Sequence, residues 1–202
     1  KLVEALKELG KDVITQSFPN YDSPSSGPVK MYLGGEFGDA ASCLDAYQAS
    51  ALFAIDRLCT MKMLDTENKV VVLDRYTNSN LTFQNTKILD VKERDKFEKW
   101  LLNFEFEDLK LPKPDVVIFL DMPVEKSIEL AHARKELKTG GKKDIHEADD
   151  AYLTHCYNVG METAKKYGWT VVHCTDASGN IKTIEDIHKD ILKIVLEKLN
   201  NK

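Results

Sequence analysis

Val70-Val71-Val72-Leu73-Asp74-Arg75-Tyr76 runs from an unbroken apolar stretch straight into a charged pair. A short apolar run rich in β-branched residues and ended by charge is the pattern of a strand buried on both faces, as in a parallel sheet. Val116-Val117-Ile118-Phe119-Leu120 repeats it and stops at Asp121-Met122-Pro123. Asp12 to Phe18 and Trp169 to Cys174 read as two further strands. Stretches of helical periodicity lie between them. The first decade puts Leu2, Val3, Leu6 and Leu9 on one face, with Gly10 as its stop. Asp39 is the expected N-cap of a helix running to about Leu64, and further helices read over Val91–Leu102, Val124–Leu137, Ala148–Tyr167 and Ile184–Leu199. Thr183 with Asp186 opens the last of these as a capping box with a shortened acid. Strands alternating with helices predict right-handed crossovers, and hence an α/β fold with a parallel β-sheet flanked by helices on both faces. Residues 1–202 read as a single domain. Asn20 to Gly38, rich in Pro, Gly and Ser, reads as a long functional loop or one holding a short helix around Val29–Leu33.

Composition narrows the function. The 202 residues carry 28 Lys and Arg against 33 Asp and Glu, a net charge of −5, which argues against a dedicated nucleic-acid binder. No apolar run reaches the ~18–20 residues of a membrane span, and no signal-peptide pattern opens the chain. Cys43, Cys59, Cys156 and Cys174 are widely spaced, with no Cys-x-x-Cys pair, as in a cytoplasmic protein with free thiols. His132, His146, His155, His173 and His188 form no metal-binding spacing, and no Gly-x-Ser-x-Gly elbow occurs.

In open parallel sheets, ligands bind at the carboxyl ends of strands. That rule directs attention to Phe18-Pro19-Asn20-Tyr21, to Asp74-Arg75-Tyr76 and to Asp121. Arg75 offers a planar fork suited to phosphate, and Asp74 a carboxylate for a water or a metal-bound water; a purely structural strand-end ion pair is the competing reading. Phe53 and Arg57 share a helical face, where a ring and a guanidinium can stack on a flat base and donate to its carbonyl edge. A core Phe beside a snorkelling Arg is the plainer alternative. Arg134, Lys135, Lys138, Lys142 and Lys143, with Gly140-Gly141 among them, suit a lid over polyphosphate at about 134–147, although a solvated loop has the same composition. Asp121 reads as a metal-binding acid or, more simply, as a helix N-terminal acid before Pro123. A basic lid and a strand-end Asp-Arg also call for a Gly-x-x-x-x-Gly-Lys-[Ser/Thr] phosphate loop. None occurs: Gly10-Lys11 runs into Asp12, and Gly141-Lys142 into Lys143. The chain opens in mid-helix at Lys1, so the first strand and this loop are expected ahead of it.

Across its whole length the sequence resembles the thymidylate kinase family of P-loop nucleoside-monophosphate kinases. The residues that carry the resemblance are Phe18-Pro19, Phe53 with Arg57, Asp74-Arg75-Tyr76 with Ser79-Asn80 and Phe83, Leu111-Pro112-Lys113-Pro114-Asp115, and the lid ending in Asp144-Ile145-His146-Glu147. The resemblance implies transfer of the γ-phosphoryl of ATP to dTMP with Mg²⁺, commonly by a homodimer. It implies that Phe53 stacks on thymine, Arg57 donates to its carbonyl edge and Asn80 reaches the base edge. Arg75 would bind the dTMP phosphate, with Asp74 at the metal, directly or through water, and near the sugar. Phe83 would crowd the ribose 2′ position, and Phe18, Tyr21 and Ser79 would complete the substrate site. Arg134, Lys135, Lys142 and Lys143 would hold ATP phosphates. Asp74, Arg75 and Arg134 are then the expected catalytic residues. Two positions depart from the family: Tyr21 stands where many members have Arg, and Ile145 where many have a lid Arg. A non-catalytic nucleotide-binding relative and a deoxynucleoside kinase are the alternatives; the latter lacks the expected acid beside Phe18-Pro19.

Overall fold

The structure is a computed structural model, and it describes residues 1–38, 40–137 and 150–201. β1 (Val13–Ser17) and β2 (Val70–Asp74) pair in parallel, with Val13 opposite Val70 and Ser17 opposite Asp74. β3 (Ile118–Asp121) and β4 (Thr170–His173) do the same, with Asp121 opposite His173 at the carboxyl end. The strands are thus parallel and interleaved with helices, as the sequence pattern requires. They form two two-stranded sheets among the described residues instead of one continuous sheet. The expected full burial of both strand faces is not observed: Val70 to Leu73 are half-buried, and Leu120 is 51% exposed. Each strand has one bonded neighbour, so among the described residues one edge of each is left without a covering strand.

Helix α1 (Leu2–Glu8) and the terminal α8 (Ile184–Asn200) close one core, in which Leu6, Val13 and Val195 pack with Val70, Val72 and Ile118. Ile118 contributes from the second strand pair, so hydrophobic contact joins the two pairs where hydrogen bonds do not. Fully burying a side chain such as Leu6 contributes about 2 kcal/mol. Thr183 caps α8 by accepting the Asp186 backbone N–H at 3.1 Å, while its hydroxyl donates to Asp186 Oδ2 at 2.7 Å; this is the cap expected there, but without the return bond from the Thr183 N–H that completes a capping box.

The loop after β1 holds a 3-10 turn (Pro24–Ser26) that leads into α2 (Gly27–Leu33). The next helix, α3 (Ala46–Met63), begins later than expected. Asp39 lies outside the described residues, and Asp45 caps α3 in a reciprocal box: its carboxylate accepts the Gln48 N–H at 2.8 Å, and Gln48 Oε1 accepts the Asp45 N–H at 3.0 Å. A short helix missed in the sequence, α4 (Thr77–Phe83), follows β2 directly. Its Thr-Asn-Ser-Asn start lacks an apolar period, yet Thr77, Asn80 and Thr82 are buried. Polar residues buried in this way are committed to hydrogen bonds or to a ligand.

Helix α5 (Val91–Asn103), capped by Asp90, runs on into a π-helical turn over Phe104–Asp108. Helices α6 (Val124–Leu137) and α7 (Asp150–Tyr167) flank the lid segment. Arg134 and Lys135 fall on α6 with their side chains outside the description, and Lys142, Lys143 and the Asp144–Glu147 stretch lie outside the described residues altogether. Gly160 lets α7 approach closely, since a Cβ there would sit 2.9 Å from the Phe119 ring. No described helix is long and apolar enough to cross a membrane.

Candidate active site

The carboxyl ends of β1 and β2 form the floor of the site. Ser17 Oγ donates to Asp74 Oδ2 at 3.3 Å, and the Phe18 N–H donates to the Asp74 carbonyl at 3.0 Å. Arg75 then turns the chain out of the strand with φ +66°, a left-handed conformation that costs a non-glycine residue roughly 1–2 kcal/mol. Its guanidinium carbon lies 5.1 Å from the centroid of the Phe83 ring, so α4 supports it from below. Arg75 is exposed and makes no ion pair among the described residues. A strand-end ion pair with Asp74 is therefore not what this arginine makes.

The loop carrying Phe18 to Tyr21 is pinned to α3. Wholly buried Asp56 accepts the Asn20 N–H at 2.8 Å and the Ser25 hydroxyl at 2.6 Å, while Asn20 Nδ2 donates to Thr60 at 3.2 Å. Phe18 is buried against Tyr76 and Leu111, with its ring centroid 6.0 Å from that of Tyr76. It serves the core of the loop, and exposed Tyr21 is the member of this stretch that reaches the surface.

On α3, Phe53 is half-buried and meets the edge of Tyr32 at 6.4 Å between centroids. Arg57, one turn on, is 2% exposed and is held by Glu105 through two parallel bonds, Nε to Oε2 at 2.7 Å and Nη2 to Oε1 at 2.6 Å. Thr77, at the start of α4, donates to the same Glu105 Oε2 at 2.7 Å. Glu105 thereby fastens α3 and the first residue of α4 to the π-helical turn. The phenol of nearby Tyr76 is pushed up by burial and, secondarily, by the Glu105 charge. The structure thus brings Arg57 within one shared carboxylate of the Asp74-Arg75-Tyr76-Thr77 turn, which sequence spacing alone did not show. Asn80 is buried on α4 with Nδ2 lacking a hydrogen-bond partner among the described residues, and Ser79 precedes it, half-buried.

Glu105 and Asp56 were missed by the sequence reading. A signal for Glu105 existed: Phe97, Leu101 and Glu105 fall four residues apart, placing an acid on an apolar stripe. Asp56, between Ile55 and Arg57, carried no such mark.

At the carboxyl end of the other strand pair, Asp121 Oδ1 accepts the Tyr157 hydroxyl at 2.7 Å, and Oδ2 lies 2.6 Å from His173 Nδ1. Both oxygens are engaged by protein groups, and the Tyr157 phenol is pushed up to about 12, chiefly by that hydrogen bond. Asp121 thus ties the end of β3 to α7 and β4, and neither bond goes to the N-terminus of α6 as the helix N-terminal reading expects. No cluster of three or more His, Cys, Asp or Glu suited to a metal occurs among the described residues. The exposed carboxylate of Asp74 remains as a single oxygen donor, which fits Mg²⁺, an ion held by one or two carboxylates, waters and substrate phosphates.

Residues 1–191 match the family model described as thymidylate kinase. The chain is 33% identical over 173 residues to a thymidylate kinase of Mycobacterium tuberculosis, an alignment covering 84% of this chain and 79% of the relative. It is 27% identical over 194 residues to a thymidylate kinase of Danio rerio, covering 95% of this chain and 79% of that one. A solved thymidylate kinase from Candida albicans superimposes with a TM-score of 0.63 at 18% identity, covering 100% of this chain and 87% of the other. At that identity the superposition shows a shared fold.

Proposed function

Since the chain belongs to the thymidylate kinase family, whose members phosphorylate a nucleoside monophosphate, we propose that it transfers the γ-phosphoryl of ATP to dTMP, giving dTDP and ADP. The observation that carries this reading is Arg75: held in a strained backbone at the end of β2, braced on Phe83 and free of any described carboxylate, it is a cation kept for an anionic ligand. On this reading Arg75 binds the dTMP phosphate. Phe53 stacks on thymine, Arg57 donates to its carbonyl edge, and Nδ2 of buried Asn80, unpartnered among the described residues, supplies a further donor. An unmet buried donor costs about 1–3 kcal/mol, which a base acceptor would recover. Phe83 stands beside the sugar, Ser79 and Tyr21 line the site, and Phe18 supports the loop from the core.

Arg134, Lys135, Lys142 and Lys143 would take the ATP phosphates. Asp74 would hold Mg²⁺, directly or through water; when bound, the ion supplies charge neutralisation of the transferring phosphoryl group. The acceptor phosphate is already nucleophilic, so the chain's own residues contribute position and charge complementarity more than proton transfer.

A homodimer is supported by α3, which presents Ile55, Cys59 and Met63 at four-residue spacing, with Ile55 48% and Met63 84% exposed. A cytoplasmic location is supported by the four free cysteines. The test is ADP release with ATP and Mg²⁺. Release with dTMP and none with thymidine supports the proposal; thymidine as the better acceptor, or no release with either, overturns it.

A further inference from the structure

The two arginines of the site stand in opposite electrostatic states. Arg75 is exposed and has no carboxylate partner among the described residues, whereas Arg57 is buried and bound side-on by Glu105. That bridge occupies Nε and Nη2, and Nη1 makes no hydrogen bond to a described residue. Both Glu105 oxygens are in turn engaged, Oε2 twice, since Thr77 also donates to it. The carboxylate is 0% exposed, so the arginine charge is cancelled where it sits and its orientation is fixed by two bonds to one rigid group.

Neutralisation changes what such an arginine selects. An unpaired buried guanidinium draws anions, whereas one already paired offers a directed N–H to a neutral acceptor. Resting on the dTMP reading above, we infer that Glu105 is a positioning residue for base selection: it holds Arg57 as a neutral-pair donor that prefers a base bearing a carbonyl at that edge over one bearing an amine. The π-helical turn at Phe104–Asp108 has a role in this arrangement, because it carries Glu105 inward beneath both α3 and Thr77. Selection between bases and binding of the phosphate are thereby divided between Arg57 and Arg75.

The test is calorimetric titration of the intact protein, Glu105→Gln and Thr77→Val with dTMP, dCMP and inorganic phosphate. Glu105→Gln keeps the side-chain shape and loses the charge. It should weaken dTMP about tenfold and reduce the preference for dTMP over dCMP by a similar factor, without weakening phosphate. Thr77→Val, which removes only the hydroxyl that braces the carboxylate, should move the same preference in the same direction by about threefold, and it decides the matter alone if Glu105→Gln does not fold. Equal weakening of all three ligands marks a merely structural role, and an unchanged dTMP-to-dCMP preference in the folded variants does the same; either overturns the inference. Failure of the unmodified protein to bind dTMP overturns instead the reading on which the inference rests.

Discussion

Asp56, buried on α3, accepts the backbone N–H of Asn20 at 2.8 Å across a separation of 36 residues. One carboxylate thus fixes the chain as it leaves β1, and with it the loop that carries Tyr21. Asp56→Ala should remove two charge-assisted bonds and strand the Asn20 N–H and the Ser25 hydroxyl. Loss of stability of about 3 kcal/mol is expected in denaturant unfolding, with an unchanged m-value.

Arg75→Gly separates function from stability. Glycine accepts φ +66° without strain, so the variant should unfold at equal or higher denaturant, by up to about 1 kcal/mol. Its dTMP kinase activity should fall roughly a thousandfold, the scale of losing a phosphate-bound arginine. A stable variant that retains full activity would exclude Arg75 from phosphate binding.

Lys87 supplies a pH-dependent term. Its amine donates to Tyr32 Oη and to the Leu44 carbonyl, both at 2.9 Å, and burial pushes it down to about 8. The folded state therefore binds fewer protons than the unfolded chain above pH 8, and stability from this group rises with pH toward the ordinary lysine value of 10.5. The stability of the parent relative to Lys87→Met should grow by about 1–2 kcal/mol between pH 7 and 9.5, the partial exposure of the amine limiting the gain. Cys156, whose thiol burial pushes up to about 11, acts in the opposite direction but is common to both proteins and cancels in the comparison.

Ile55→Glu tests the α3 face. Its side chain is 48% exposed, so the substitution should leave the folded monomer within about 0.5 kcal/mol of the parent. Sedimentation should then show the parent as a dimer and the variant as a monomer. Two monomers, or two dimers, would remove α3 from the interface.

Gly160→Ala should destabilise by about 1–3 kcal/mol, because its Cβ would meet the Phe119 ring at 2.9 Å and Thr82 at 3.1 Å. Thermal unfolding reads this directly, and an unchanged midpoint would mean that α7 stands farther from β3 and α4.

The elements with a strong period were legible. The apolar run at Val70–Leu73, the stripe of α5 and the cap of α8 depend on neighbours along the chain, and each is found within a few residues of its expected place. Helix α4 was not legible, because its polar residues are buried for reasons that lie elsewhere in the fold. The start of α3 was misread because Asp39 and Asp45 are both good caps; only Asp45 has Gln48 three residues on to return the bond.

For the site, local sequence determined the chemical inventory: an Arg at the end of a strand, an aromatic and an Arg one turn apart on a helix, and a run of lysines after another. Resemblance in the order of those residues was enough to indicate the family. Tertiary structure decided the electrostatic state of each. Nothing near Arg57 or Arg75 in the chain distinguishes a paired guanidinium from an unpaired one. The carboxylate that makes the difference lies 48 residues from Arg57 and reaches it only when α5 ends in a π-helical turn beneath α3. Periodicity is a property of neighbouring residues and survives in a linear reading, whereas charge compensation is a property of distance in space and exists only once the chain has folded.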